Sequence, residues 1–283
     1  MASALPASAS HAHAQGLPFH TPSALTTSFE QRGVRAVTTL GRTGAVRAWT
    51  TRLTVLPWAP SARFTTSVSL PITRKRLDGD PGRPRTISGL GDLSLSGKWA
   101  VFVRNRPGGT SRVAVIGSVR LPTGSTDAVD DGGRTLPRPL QPGAGSPALS
   151  GWLTGTLIRD RWGVTAAFGP EWATDNGSFD PGVTLRYGLA LGVRFPAHVA
   201  DIRTRTVQVY LEWNGTQRTR SREAGLVLAD TGGHLAFVSP GVQWVLLPRL
   251  LVEASVQVPV LRRLHGNQPD PQARSSFGLR YLF

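Results

Sequence analysis

The sequence predicts an all-β fold: a single-domain, transmembrane antiparallel up-and-down β-barrel of about twelve strands. Three observations carry this prediction. Apolar and polar side chains alternate with period two in many segments, short connectors alternate with long ones, and the chain ends on an aromatic residue. Helical periodicity is not sustained over any stretch of about ten residues free of Gly and Pro, which argues against helical bundles and α/β folds.

The last strand gives the clearest single indication. Its apolar side chains share one face and reach the C-terminus: Phe277, Leu279, Tyr281 and Phe283. Gly278 and Arg280 lie on the other face, so one side suits lipid and the other suits water. A terminal Phe after such alternation resembles the signal that the barrel-assembly machinery recognises, and these four apolar residues are the predicted insertion signal. A strand of a soluble sandwich would alternate in the same way with its apolar face inward, so that alternative stays open.

The remaining strands follow the same alternation. It is regular over 64–72, 93–104, 113–121, 185–195, 207–213 and 252–260, and less regular over 24–39, 45–56, 149–159, 162–173 and 236–247. Pro240-Gly241 predicts a bulge or bend, because proline cannot donate to a ladder. The polar faces carry charges that we expect to line a wet interior: Lys98, Arg104, Arg120, Arg186, Arg194, Glu212, Glu253 and Arg280.

Connector lengths support the same topology. Bacterial barrels have short periplasmic turns and long outer loops. With Phe283 at the periplasmic end, the long Gly/Pro/Asp-rich connectors all face outward: 73–91, 121–147, 174–181, 215–233 and 262–274. The short ones face the periplasm, at 58–60, 105–110, 159–161 and 248–249. The connector 196–203 is an exception of intermediate length, and 41–44 is a short outer turn.

Composition excludes several function classes. The formal charge of +15 is scattered, and no basic helix or RNA-binding signature accompanies it, so we do not expect nucleic-acid binding. The chain has no cysteine, which removes disulfides and thiolate metal sites. The histidines lack ligand spacing and Gly-x-Ser-x-Gly is absent, so we expect no metal, no cofactor and no enzymatic activity.

The N-terminus resembles part of an export signal. Ala12-His13-Ala14 before Gln15 fits the small-x-small pattern of signal-peptidase cleavage, without the usual charged and apolar regions upstream. We therefore interpret residues 1–14 as a truncated signal-peptide remnant or a disordered tail. Residues 15–283 are the predicted barrel.

Three short motifs occur in a fixed order. Gly89-Leu90-Gly91-Asp92 precedes one strand, Leu121-Pro122-Thr123-Gly124-Ser125 ends the next, and 140–146 (LQPGAGS) precedes another. Together with the C-terminal strand, this set resembles the outer-membrane proteins grouped as the MetA-pathway of phenol degradation family. The resemblance implies a monomeric barrel associated with uptake of aromatic or other hydrophobic compounds. From the residues alone, the motifs are structural turns, and a ligand role for Asp92 or Thr123 is the alternative.

The function that fits these features is a passive channel or transporter in the outer membrane of a Gram-negative bacterium. Its partners would be outer-membrane lipid and lipopolysaccharide, the barrel-assembly machinery and a small-molecule solute. A closed structural or adhesive barrel, binding lipopolysaccharide phosphates through Arg218, Arg220 and Arg222, is the alternative. A barrel lipid hydrolase is a third hypothesis.

Overall fold

A computed structural model describes most of the chain: residues 18–26, 32–56, 58–78, 85–130, 132–135, 140–174, 177, 179–196 and 205–283. The predicted signal remnant, residues 1–14, lies outside this described part. No helix within it is long and apolar enough to cross a membrane.

Strands dominate the described residues and form the wall of a barrel. The wall strands are β1 (Gly33–Thr43), β2 (Val46–Leu56), β3 (Phe64–Leu77), β5 (Ser94–Arg106), β6 (Gly109–Arg120), β7 (Ala148–Arg159), β8 (Trp162–Ala173), β10 (Val183–Phe195), β11 (Thr206–Arg218), β14 (Gly233–Leu247), β15 (Leu250–Leu264) and β16 (Pro271–Leu282). Four shorter strands belong to the outer loops: β4 (Arg85–Leu90), β9 (Phe179–Asp180), β12 (Arg222–Glu223) and β13 (Leu226–Val227).

The wall strands close on themselves. Each pairs antiparallel with its neighbours, the first strand pairs with the last, and the pairing of β2 with β3 completes the ring. Ala36 of β1 lies opposite Leu279 of β16, which fixes the register of the closing seam. Closure removes every strand edge from the wall, as a membrane-spanning sheet requires. The predicted twelve-stranded up-and-down barrel is confirmed.

The distribution of exposed side chains is the reverse of that in a soluble protein. In β10, Leu189 is 46% exposed and Leu191 is 50% exposed, whereas Ala190 between them is 1% exposed. On the interior side, Glu212 and Gln243 are each 1% exposed. The apolar face therefore points outward and the polar face points inward, so the soluble-sandwich alternative is wrong.

The four residues of the predicted insertion signal share the outward face. Phe277, Leu279, Tyr281 and Phe283 are all exposed, and the rings of Tyr281 and Phe283 stack with centroids 6.1 Å apart. Trp162 is also exposed on the outside, at the periplasmic start of β8, with the Arg161 guanidinium 5.6 Å from its ring centroid. An amphipathic ring beside a cation suits the level of the lipid head groups.

Two local predictions are corrected by the register. A bulge between Ala100 and Phe102 shifts the alternation of β5, so Arg104 pairs with Ser111 and shares the outward face of Phe102 instead of the face of Lys98. The ladder also passes through Pro240-Gly241 without a register shift, and the nearby irregularity lies at Ala236/Phe237. A bulge adds a residue to one strand without a characteristic residue type, so the alternating pattern alone does not locate it.

The first strand starts later than predicted. The segment 24–39 was expected to be one strand, but β1 begins at Gly33, and residues 24–26 lie inside the barrel. The predicted connector pattern holds in part: the turns after β5, β7 and β14 are short, and the connectors after β6 and β11 are longer. The connector after β2, predicted to be short, is longer than the one after β15, which was predicted to be long.

The outward orientation of the apolar face predicts the effect of a charge at its centre. Leu189→Arg should cost about 2–4 kcal/mol of folding free energy in lipid, because a midplane cation loses its hydration. Urea unfolding in lipid vesicles, followed by the heat-modifiable gel band, measures this difference. Leu189→Met is the matched apolar control, and equal stability of the two variants would show that this face does not contact lipid.

Candidate functional site

The interior face of the wall carries most of the charges predicted for it. The side chains that the register places there are Lys98, Arg120, Arg186, Arg194, Glu212, Glu253 and Arg280. Further cations that the sequence analysis did not single out share this face, among them Arg35, Arg52, Arg112 and Arg274. Cations therefore outnumber carboxylates on the described interior face, and the lumen is electropositive.

A segment that precedes the first strand crosses the lumen. Residues 18–26, the plug, make hydrogen bonds to strands from around the whole ring, including β1, β5, β6, β7, β11 and β15. Since these strands face one another across the barrel, the plug occupies the space between them.

The main anchor of the plug is the carboxylate of Glu212. Its Oε1 accepts the backbone N–H of Phe19 at 2.7 Å, and its Oε2 accepts that of Thr21 at 2.8 Å. The N–H of His20 reaches both oxygens at 3.1 and 3.2 Å. Three successive N–H groups thus surround one buried carboxylate, an arrangement whose charge-assisted bonds are stronger than neutral ones.

Hydroxyl groups and cations of the opposite wall hold the rest of the plug. Thr154 Oγ1 donates to the carbonyl of Pro22 at 2.6 Å, and Thr156 Oγ1 accepts the N–H of Ala24 at 3.0 Å. Lys98 Nζ donates to the carbonyl of Leu25 at 3.0 Å. These bonds satisfy plug backbone groups that are buried away from water.

Small residues on the wall make room for the plug. A Cβ at Gly188 would lie 2.7 Å from Thr21 Oγ1 and 3.2 Å from Thr21 Cβ. With its neighbour Ala190, this glycine leaves a shallow strip on the interior face of β10 into which the plug fits. Beneath the plug, a cavity of about 40 Å³ is lined by Pro18, Leu25 and Tyr210. That volume holds a few water molecules, so the lumen is narrow here.

A second interior carboxylate, Glu253, is surrounded by donors. Arg35 Nε lies 2.6 Å from its Oε1, and Gln243 Nε2 donates to its Oε2 at 2.7 Å. Arg280 Nη2 lies 3.8 Å from the same Oε2. The Arg35 guanidinium also stacks on the ring of Phe19, 5.2 Å from its centroid, and so links this cluster to the plug.

On the extracellular side of the plug, Glu171 is shared by two arginines. Arg120 Nη1 lies 3.3 Å from Glu171 Oε1, and Arg186 pairs with Glu171 Oε2. The Arg186 guanidinium lies 5.4 Å from the ring centroid of Trp152. Arg194, in contrast, is at the periplasmic end of the lumen, where its Nη2 donates to the carbonyl of Asp160 at 3.3 Å.

The three ordered sequence motifs meet in one knot of the outer loops. Asp92 Oδ1 accepts the N–H of Gly124 at 3.0 Å, and its Oδ2 accepts the N–H of Ala144 at 2.9 Å. Thr123 Oγ1 accepts the N–H of Leu93 at 2.9 Å. A Cβ at Gly143 would overlap the carbonyl oxygen of Gly124, so the backbones approach too closely for any side chain.

The other motif residues belong to the same knot. Gly91 donates its N–H to the carbonyl of Pro71 at 2.8 Å, and a Cβ at Gly89 would lie 2.8 Å from Pro142. Pro122 separates Leu121 from Thr123 at the end of β6. The side-chain oxygens of Asp92 and Thr123 accept backbone N–H groups, and Asp92 Oδ2 also lies 3.7 Å from Arg120 Nε. These contacts favour a structural role of the motifs over a ligand role.

Sequence comparison identifies the family. A sequence model described as "Putative MetA-pathway of phenol degradation" matches residues 31–263. The chain belongs to this family. A search of curated proteins finds no match.

One similar solved structure shares the fold of this family member. The COG4313 outer membrane channel from Pseudomonas putida F1 aligns with a TM-score of 0.68 at 15% identity, covering 95% of this chain and 100% of that one. The β domain of the Bordetella autotransporter BrkA aligns with a TM-score of 0.48 at 13% identity, covering 89% and 99%. The predicted family and the assignment to the outer membrane of a Gram-negative bacterium are confirmed.

Sequence reasoning missed the plug. Residues 18–26 show no alternation, and the segment is too short and too polar to stand out as an element. One signal was present in β10, whose interior positions Gly188, Ala190 and Gly192 are too small to fill a narrow lumen. A run of small interior residues indicates that something else occupies that space.

Asp130 is a buried carboxylate in the described part of the long outer loop. Asp130 Oδ1 accepts the N–H of Arg134 at 2.8 Å and that of Gly132 at 3.0 Å, and Oδ2 pairs with Arg85. The N–H of Arg134 and the Arg85 guanidinium hold the pKa of Asp130 below its ordinary value. Within the described residues, no group of three or more His, Asp or Glu side chains is arranged to hold a metal ion.

Glu212 should control the exposure of the plug. In Glu212→Gln the plug loses its charged acceptor, so we expect it to leave the lumen more often. The chain has no cysteine, so Leu25→Cys provides a unique thiol whose maleimide labelling rate reports this exposure. Labelling should be at least about tenfold faster with Glu212→Gln, given the strength of bonds to a carboxylate.

Glu171→Gln removes an interior carboxylate that does not contact the plug and is the control. Equal rates in all three proteins would contradict the anchoring role.

The lowered pKa of Asp130 predicts that the outer loop loses stability in acid. Because its folded pKa is lowered, its contribution to loop stability is complete above its ordinary pKa of about 4 and is lost as the pH falls through the lower folded value. Asp130→Asn should mimic this loss at neutral pH and accelerate trypsin cleavage after Arg134. Asp127→Asn, an exposed carboxylate of the same loop, should cleave at the wild-type rate. Unchanged cleavage of Asp130→Asn would mean that the carboxylate does not order the loop.

Proposed function

We propose that this protein is an outer-membrane channel for passive entry of small amphiphilic or aromatic compounds, and that residues 18–26 gate it. The observation that carries the proposal is a closed barrel whose polar interior is crossed by a hydrogen-bonded segment instead of a packed apolar core. A polar, hydrogen-bonded filling can separate from the wall and admit water, whereas a packed apolar filling would make a purely structural barrel.

The family and the structural likeness support the solute class. The family description refers to phenol degradation, and the similar Pseudomonas protein is described as an outer membrane channel. Apart from its chain connection to β1, the plug is held by hydrogen bonds and a cation stack. Such contacts can break and re-form, as a gate requires.

A reversible lock tests the gate. The Thr21 Cβ lies 3.2 Å from the Cβ position of residue 188, close to the spacing of a disulfide of about 3.8 Å. We therefore expect Thr21→Cys/Gly188→Cys to lock the plug when oxidised. Proteoliposomes containing this variant should take up labelled small aromatics only after reduction.

The two single-cysteine variants are the controls, since neither can form the lock. If the oxidised double variant takes up solute as fast as the same variant after reduction, the plug is excluded as the gate. Absence of uptake by wild type and by every reduced variant would exclude the channel itself.

The adhesive alternative has one observation in its favour. Arg220 and Arg222 are exposed on the outer hairpin formed by β12 and β13, where Leu226 is 74% exposed. Basic and apolar side chains side by side suit lipopolysaccharide phosphates and acyl chains. Arg220→Glu/Arg222→Glu should weaken lipopolysaccharide binding without changing solute uptake if both functions coexist.

The hydrolase hypothesis finds no support in the one serine–histidine pair of the described lumen. His20 Nε2 lies 3.1 Å from Ser255 Oγ, but Ser255 donates its proton to the carbonyl of Pro240 at 2.9 Å. A nucleophilic serine must instead donate to the histidine that activates it. The pair therefore serves to seat the plug.

A further inference from the structure

Two arginines lie close together just above the plug. Arg120 and Arg186 share the carboxylate of Glu171. Arg120 Nε also lies 3.7 Å from Asp92 Oδ2, and each Asp92 oxygen accepts a backbone N–H of the loop knot. Arg120 Nε is buried and has no hydrogen-bond partner within the described residues. Arg186 therefore pairs with a carboxylate that it shares with Arg120, and Asp92, the second carboxylate of Arg120, is already occupied by the loop backbone.

Arg52 adds a third cation from another part of the wall. It lies on the interior face of β2, opposite Val37 of β1, and its side chain is exposed to the lumen. It makes no hydrogen bond or ion pair within the described part of the chain. β2 and β10 lie on opposite sides of the ring, so the interior side chains of Arg52 and Arg186 face one another across the lumen.

The register places Arg52 and Arg186 directly on the extracellular side of the plug. Arg186 is the next interior residue outward from Gly188, which contacts Thr21. Arg52 is the next interior residue outward from Thr54, which pairs with Arg35, and Arg35 contacts Phe19. A solute entering from outside therefore meets both guanidinium groups before it meets the plug.

The chemistry of this position selects a particular class of solute. Guanidinium groups bind carboxylates through paired, charge-assisted hydrogen bonds, and an exposed arginine without a partner is satisfied by such a ligand. Trp152 and its interior neighbour Ile116 supply apolar surface beside Arg186. A neutral hydrocarbon would use that surface but leave Arg52 without a partner.

We propose that Arg52, Arg120 and Arg186 form a subsite for the carboxylate of a small aromatic acid, with the ring against Trp152. This inference rests on the proposed channel function and narrows its solute from aromatic compounds in general to aromatic anions. Glu171 positions Arg120 and Arg186, and Arg52 contacts the carboxylate of the bound acid from the other side of the lumen.

Calorimetric titration of the detergent-solubilised protein tests the subsite, with benzoate, acetate and benzyl alcohol as probes. Benzoate should bind more tightly than acetate, which lacks the ring, and than benzyl alcohol, which lacks the charge. Arg52→Met keeps the apolar stem and removes the charge, and should weaken benzoate binding about tenfold while leaving benzyl alcohol binding unchanged. Arg104→Met, on the outward face of β5, is the matched control and should bind benzoate as wild type does.

Two results would overturn the subsite. One is benzoate binding no tighter than benzyl alcohol binding, and the other is wild-type benzoate affinity in Arg52→Met with folding verified by the heat-modifiable band. The outcome is separable from that of the channel. Uptake of neutral aromatics by wild-type proteoliposomes without benzoate binding would refute the subsite alone. Uptake by Thr21→Cys/Gly188→Cys that is the same before and after reduction would refute the gated channel.

Discussion

The organisation of this protein depends on one constraint: in a hydrocarbon layer, every backbone N–H and C=O of the wall must find a partner within the wall. The pairing of β1 with β16 meets that constraint by joining the two ends of the sheet. Closure then divides the side chains into two sets by parity alone. The outward set is selected for contact with lipid, and the inward set is left to enclose water and charge.

The inward set solves a second problem, because a barrel of this size has a narrow lumen that side chains can fill. Here the interior of β10 stays small, at Gly188 and Ala190, and the space is taken by chain from outside the wall. Glu212 makes this arrangement possible. A buried carboxylate without partners would be very unfavourable, and a peptide segment without partners would be equally so, but each satisfies the other.

The wall could be predicted from the sequence because its signal is local. Leu189 and Leu191 alternate with Ala190, and this two-residue period appears in the sequence without knowledge of any distant contact. The position of Arg104 could not be predicted, because the bulge at Ala100/Phe102 arises from pairing with β6 and leaves no mark on composition.

The plug could not be predicted for a different reason. Its conformation is imposed by Glu212, Thr154 and Lys98, which are far away in sequence. The loop motifs were recognisable as turns, but their meeting around Asp92 is a tertiary fact.

The position of the plug at the beginning of the chain has a consequence for assembly. Its partners lie on strands that are synthesised later, from Lys98 of β5 to Ser255 of β15. The first part of the described chain to leave the ribosome is therefore among the last to reach its final place. The seam between the first and last strands closes right beside it, since Arg35 of β1 contacts Phe19. The wall therefore has to close around a segment whose binding site is completed only when the later strands are in place.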